Sequence, residues 1–319
     1  MSGLFRIVVT DHVSESGLAP LLEDGRFQVT RVDDSATDAF QAALADADGL
    51  VVRSATRVTR DMLDKGPRLR VVGRAGVGVD NIDLPAATER GIAVLNSPAG
   101  NTVAAAELTM ALILSVVRRV AEADRSMRGG EWARSRLRGV QLKDRTLGLV
   151  GAGRIGSEVA NRCRAFGMKV LVYDPYLTAE RANDLGLALT SLDEVLTHGD
   201  IISLHVPLTD ETRHLIDGKA LARMKQGAFV VNVSRGGVID EDALAEALTR
   251  GHLAGAALDV FESEPLPADS PLLALPNVVL TPHLGASTVE AQELVAREIA
   301  ESVRDALVLG DLSGSVNSS

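Results

Sequence analysis

Short β-branched runs alternate with helix-like stretches along almost the whole chain, and this rhythm restricts the fold class more than any single residue does. FRIVV, FQVTRV, GLVVR, LRVVGRA and IAVLN succeed one another up to about Ser97. A second series, TLGLVGAG, MKVLVYD, DIISLHVP, AFVVNVS, AGAALDV and NVVLTPH, follows after Asp144. Strands that are apolar on both faces and separated by helical crossovers belong to parallel sheets covered on both sides. The reading is therefore α/β, with two doubly wound parallel sheets, five strands in the first series and six in the second. At 319 residues, 46% of them hydrophobic, the chain can bury the two cores this requires.

Between the two series, Asn101 to about Gly129 reads as one long Ala/Leu-rich helix, capped by Asn101 or Thr102 after the turn Ser97-Pro98-Ala99-Gly100. So apolar a helix fits either a buried crossover or a subunit interface, and its periodicity does not separate the two. The last helical stretch, STVEAQELVAREIAESVRDALVLG, could fold back on either domain.

A formal charge of -10 argues against broad nucleic-acid binding, which needs a basic face, so an anionic ligand must be met by local arginines. Cys163 is the only cysteine, which rules out an internal disulfide and a Cys-rich zinc site and suits a reducing compartment. The apolar stretch before Asp11 is too short for a secretory signal, and MALILSVV is too short for a membrane span. These features predict a soluble, cytoplasmic protein without metal.

Gly151, Gly153 and Gly156 form G-x-G-x-x-G directly after an apolar strand and directly before a helix, the context in which the motif means a dinucleotide site. There the first glycine permits a tight turn, the second lets backbone approach a pyrophosphate, and the third allows close helix–strand packing. The next strand ends in Asp174, placed to bond ribose hydroxyls and to repel a 2′-phosphate; Pro175, Tyr176 and Leu177 offer no guanidinium. NAD is thus favoured over NADP. A second glycine run, Gly73, Gly76 and Gly78, has Asn81 where a third fingerprint glycine would stand, and reads either as a carboxylate-binding loop or as a plain turn.

Arg235, Glu264 and His283 each fall just after a strand of the second series, the side on which open α/β sheets bind ligands. Oxidising a 2-hydroxy acid needs a base for the hydroxyl proton, a cation for the carboxylate and a hydride acceptor; histidine, arginine and a nicotinamide supply them. A carboxylate beside His283 would favour the imidazolium and fix one ring nitrogen. Spacing alone leaves Glu262 and Glu264 as rivals for that place.

RAGVGVDNIDLPAATERGIAVLN, VGAGRIG, VNVSRGGVIDEDALAEAL, AGAALDVFESEP and TPHLGASTVEAQ together closely resemble the D-isomer-specific 2-hydroxyacid dehydrogenases, over nearly the whole chain. The resemblance implies Arg235, Glu264 and His283 as catalytic residues, which selects Glu264 over Glu262, and Asp174 on the adenine ribose. It implies further cofactor contacts at Val77, Gly151, Gly153, Arg154, Ile155, Gly156, Val206, Pro207, Val233, Ser234, Asp259 and Gly285. Val77 stands where some relatives carry threonine. Substrate contacts are implied at Arg53, Ser54, Arg74, Gly76, Gly78, Asn101 and Arg134, with Arg57 also available and Arg134 reaching in from a neighbouring subunit.

The same resemblance implies a Rossmann nucleotide-binding domain, 99–285, inserted into a flavodoxin-like substrate domain, 1–98 plus 286–319. Closure of such domains would exclude water from hydride transfer. It also implies a homodimer or homotetramer that uses the helix after Asn101. The expected reaction converts 3-phosphoglycerate to 3-phosphohydroxypyruvate, toward serine. A glyoxylate, hydroxypyruvate or other 2-keto acid reductase of the same family is the first alternative, and a non-catalytic NAD-sensing scaffold or corepressor the second. Because the sequence stops at GSVNSS, no feedback inhibition by serine is expected.

Overall fold

The computed structural model describes residues 4–317. The chain forms two compact units: one runs to Asn101 and resumes at Ala286, and the other is Thr102–Gly285.

In the first unit, β1 (Phe5–Val9), β2 (Phe27–Arg31), β3 (Gly49–Val52), β4 (Val71–Arg74) and β5 (Ala93–Asn96) make one parallel sheet in the order β2-β1-β3-β4-β5. Side chains alternate across a strand, and the two cores divide accordingly. Ile7, Val9 and Val51 face the final helix, Val289–Leu309, with its Val295, Ile299 and Val303. Val8, Leu50 and Val52 face the other way, against Phe40, Leu44 and Leu63. The final helix starts at Thr288, whose side chain accepts the Ala291 N–H, and it packs on β4.

The second unit adds β6 (Thr146–Val150), β7 (Lys169–Tyr173), β8 (Ala188–Leu189), β9 (Ile201–Leu204), β10 (Phe229–Asn232), β11 (Gly255–Leu258) and β12 (Val278–Leu280). They pair in parallel in the order β12-β11-β10-β9-β6-β7-β8. Seven strands stand where six were expected. The extra one, β8, is two exposed residues paired to β7, too short and too polar in its surroundings to leave a periodic signal. Leu147, Leu149 and Val172 build one core with the helices Thr102–Val117 and Arg154–Ala165, and Val150, Ile202 and Val230 build the opposite one with the helix Glu241–Thr249. Strand order reverses between β6 and β9, so the turn after β6 lies at the switch point where such sheets bind ligands.

The long helix expected from Asn101 to Gly129 is broken into Thr102–Val117 and Val120–Arg128. Arg119 takes a left-handed conformation (φ +54°), and the Val117 carbonyl accepts the Val140 N–H at 2.9 Å, a tertiary bond that ends the first helix. Neither Asn101 nor Thr102 caps it, since the side-chain oxygens of both are buried with no hydrogen-bond partner. Among the described residues no helix is long and apolar enough to cross a membrane.

Ile299 is fully buried against Gly73 of β4. Ile299→Ala is expected to cost about 2–5 kcal/mol in urea unfolding; a loss under about 1 kcal/mol would place this contact outside the core.

Candidate active site

Because β6, β7, β9, β10, β11 and β12 all run in parallel, their carboxyl ends share one edge of the sheet. The glycine turn occupies its middle. Gly151 adopts φ +90°, and its N–H bonds the Tyr173 carbonyl at 2.8 Å, which locks the turn to β7. A methyl group on Gly156 would overlap the Gly151 carbonyl, so the helix Arg154–Ala165 starts pressed against the turn. That helix begins at Gly153 with no side-chain cap, and nothing lies within 4 Å of where a Gly153 side chain would be. First-turn N–H groups and open space suit a pyrophosphate.

Asp174 sits next to this turn. One carboxylate oxygen accepts the Ala152 N–H at 2.8 Å and the other the Tyr176 N–H at 2.9 Å. A carboxylate held this way keeps lone pairs for two ribose hydroxyls and would repel a 2′-phosphate. Ile155 is half-buried against the core below, Arg154 is exposed, and Val206 and Pro207 follow β9, with Val206 against Gly151. After β10, Val233 is buried and Ser234 is committed locally, its N–H and hydroxyl both donating to Asn232 Oδ1 at 3.0 and 2.7 Å.

Arg235, Glu264 and His283 leave three neighbouring strands, β10, β11 and β12. His283 Nδ1 and Glu264 Oε2 are 2.7 Å apart, and Glu264 Oε1 accepts the Phe261 N–H at 3.1 Å. An ionised carboxylate only accepts, so Nδ1 carries the proton and Nε2 is left for other partners. Burial by itself would raise the Glu264 carboxyl, but the hydrogen bond and charge of His283, the Phe261 N–H and the Arg235 charge together bring it below the usual carboxylate range. Arg235 Nη1 donates to the Ser234 carbonyl at 2.7 Å. A methyl group on Gly236 would overlap the Phe261 carbonyl, so only glycine lets the Arg235 loop approach the segment that carries Glu264.

His283 lies at φ +55°, an uncommon conformation for its residue type. Asp259, with no exposed surface, accounts for it. The Asp259 carbonyl accepts the His283 N–H at 2.9 Å, while its carboxylate accepts the Thr281 hydroxyl at 2.6 Å, the Leu284 N–H at 2.7 Å and the Gly285 N–H at 2.9 Å. Asp259 therefore acts first as the organiser of the His283 loop, which its position after an apolar strand did not announce. Burial, only partly offset by these donors and by the His283 charge, holds its carboxyl above the ordinary range. Glu262 turns instead to His214 at 3.0 Å, so geometry separates the two glutamates that spacing could not.

Arg53, Ser54, Arg74, Gly76, Gly78 and Val77 all belong to the first unit: Arg74 is the last residue of β4, and the others lie on the loops that follow β3 and β4. Asp11, unnoticed in the sequence, fastens the first of these loops by accepting the N–H groups of Arg53 and Thr56 at 2.8 and 3.0 Å and the Thr56 hydroxyl at 2.6 Å. Asn81 bridges both loops, donating to the carbonyls of Arg53 and Thr56 at 2.7 Å each. The glycine run does not form an open carboxylate cradle throughout. Gly73 lies inside β4 under Ile299, and the Gly76 N–H is spent on the Arg74 carbonyl at 2.8 Å. The Val77 carbonyl accepts from Asn96 at 2.6 Å. Asn101 ends this unit, and Arg134 is exposed on a loop of the other. Among the described residues no three His, Cys, Asp or Glu side chains are grouped to hold a metal.

Residues 110–285 match the family model described as D-isomer specific 2-hydroxyacid dehydrogenase, NAD binding domain. The chain belongs to this family. It is 50% identical over 300 residues to D-3-phosphoglycerate dehydrogenase of Bacillus subtilis, an alignment that covers 94% of this chain and 56% of that one. It is 47% identical to the enzyme of the same name from Methanocaldococcus jannaschii, over 98% of this chain and 59% of the relative. The chain thus spans a little over half the length of these curated relatives. Among solved structures, D-lactate dehydrogenase from Aquifex aeolicus, complexed with NAD and lactic acid, superposes with a TM-score of 0.84 at 34% identity, covering 98% of this chain and 99% of that one. The TT0316 protein of Thermus thermophilus gives 0.88 at 39%, covering 98% and 100%. NAD is the family's cofactor, and the uncapped helix at Gly153, the open space beside it and Asp174 fit it.

A carboxyl held low by its partners adds stability above its unfolded-state pKa and loses it as the pH falls through the lowered value. Glu264→Gln is therefore expected to flatten the acid side of a melting-temperature profile between about pH 5 and pH 3. Parallel profiles for the two proteins would mean that the pair contributes nothing to the folded state.

Proposed function

We propose that this chain oxidises 3-phosphoglycerate at its D-2-hydroxy acid centre, giving 3-phosphohydroxypyruvate, with Arg235, Glu264 and His283 as catalytic residues. The observation that carries the reading is the 2.7 Å His283–Glu264 pair beside the Arg235 loop, on the sheet edge that also bears the glycine turn. NAD supplies the hydride acceptor when bound; Asp174 and the first turn of the helix Arg154–Ala165 are the groups that would hold it. β6 and β11 lie three strand spacings apart, about 14 Å, a span within reach of an extended dinucleotide.

His283 takes the hydroxyl proton at Nε2, since Nδ1 is held by Glu264. The Glu264 charge stabilises the imidazolium so formed and keeps the ring oriented, as the carboxylate of a His-carboxylate relay does. Arg235 offers a planar, permanently charged donor set to the substrate carboxylate and to the oxygen that becomes a carbonyl. Asp259 holds the loop on which His283 rides, so the base needs no rearrangement to meet its substrate.

The choice of a phosphorylated acid rests on the names of the relatives at 47–50% identity and on the arginines at positions 53, 74 and 134. We read these as phosphate partners, with Ser54, Gly78 and Asn101 near the substrate. The product suits serine synthesis in a cytoplasm, the compartment a single buried Cys163 fits. kcat/KM is expected to be at least about a hundredfold higher for 3-phosphoglycerate than for D-glycerate, because unfilled arginines forfeit charge-assisted bonds. His283→Ala should lower kcat by about a hundredfold or more with NAD affinity retained. Equal kcat/KM for the two acids would remove the phosphate assignment, and an unchanged kcat would remove the base.

We also read the protein as a homo-oligomer. Val103, Val120 and Met127 are exposed on the helices that follow Asn101, and Trp132 on the loop after them, large apolar side chains of the kind subunit contacts cover. Light scattering after size exclusion is expected to give at least a dimer's mass; a monomer at micromolar concentration would oppose this.

A further inference from the structure

Glu262 and Glu264 stand two residues apart after β11, yet each meets a different imidazole. Glu264 pairs with Nδ1 of His283 at 2.7 Å and Glu262 with Nε2 of His214 at 3.0 Å. The second pair is anchored from two sides. The Glu262 N–H donates to Glu241 Oε1 at 2.6 Å and the Glu241 N–H to Glu262 Oε1 at 3.4 Å, which fastens the segment to the first turn of the helix Glu241–Thr249. His214, at φ +50°, donates its N–H to the Gly237 carbonyl at 2.8 Å. Two further backbone bonds, Ile216 to Val238 and Asp240 to Ile216, each 3.1 Å, lay residues 214–216 alongside the loop that begins at Arg235.

Carboxylates crowd this corner. Burial first, then the charges of Glu262, Asp242 and Glu264, hold the Glu241 carboxyl above its ordinary range, although the Glu262 N–H works the other way.

We propose that His214 is a positioning residue: by holding Glu262 it ties the segment that bears Glu264 to the loop that begins at Arg235, and so keeps Glu264 against His283. The inference rests on the oxidation proposed above for its kinetic consequence, and on the His214–Glu262 contact alone for its structural one.

The test uses the whole chain and four variants: His214→Ala, Glu262→Ala, Glu262→Gln and the double alanine. His214→Ala and Glu262→Ala are expected to lower kcat about tenfold while KM for NAD stays within about twofold. The double variant should be no slower than either single one, because both remove the same contact. Glu262→Gln, which keeps a carbonyl acceptor for His214, should retain at least about half of kcat. Independently of turnover, protein labelled with ¹⁵N-histidine should show a downfield proton on His283 Nδ1, assigned by its loss in His283→Ala, that survives in Glu262→Gln and broadens in His214→Ala. A His214→Ala protein with this signal unchanged, or with losses that multiply in the double variant, would overturn the inference. If the wild type oxidises no D-2-hydroxy acid, the functional reading falls by itself and the Nδ1 signal still decides the role of His214.

Discussion

Parallel pairing of β10, β11 and β12 is the constraint from which the candidate site follows. Each strand must be re-entered from the same end, so every crossover helix returns the chain to the opposite edge and every outgoing loop leaves from one edge. Arg235, Glu264 and His283, far apart in sequence, meet there because their strands are neighbours in the ladder. The glycine turn after β6 joins them on the same edge.

Placement at an edge is not yet a geometry. Loops are free until their backbone groups are satisfied, and here buried and half-buried side chains do the satisfying. The Asp259 carboxylate collects three donors from residues 281–285, its carbonyl takes the His283 N–H, and His283 is left in a left-handed conformation that its own sequence would not select. Asn232 does the same for the turn entering Arg235, bonding both Ser234 groups and the Arg235 carbonyl at 2.9 Å. In the first unit Asp11 and Asn81 fix the loop of Arg53. Asn232 and Asp259, buried at the ends of apolar strands, each order the loop that follows, whereas Asp11 and Asn81 are half-buried loop residues that order a neighbouring loop.

Such residues explain why some of the site was readable and some not. Gly151, Gly156 and Asp174 answer to one local motif, because a strand, a tight turn and a helix lie within a single stretch of chain. The choice between Glu262 and Glu264 could not be made from spacing, since both follow the same strand at similar offsets; it is decided by which imidazole, His214 or His283, lies opposite each. Likewise the glycine run at 73–78 read either as a ligand loop or as a plain turn, and only the fold shows Gly73 to be a strand residue beneath Ile299. The break at Arg119 was invisible for the same reason: the Val140 N–H that ends the helix arrives from another part of the fold.

By itself, then, the sequence determined the class of fold, the number of sheets, the strand ends that bear the candidate site and the glycine turn, because hydrophobic periodicity and backbone-specific residues act over a few positions. Tertiary structure alone decided the seventh strand, the divided helix, the partner of each glutamate and the conformation of His283. Those outcomes depend on hydrogen bonds and burial between segments far apart in the chain, which no local pattern encodes.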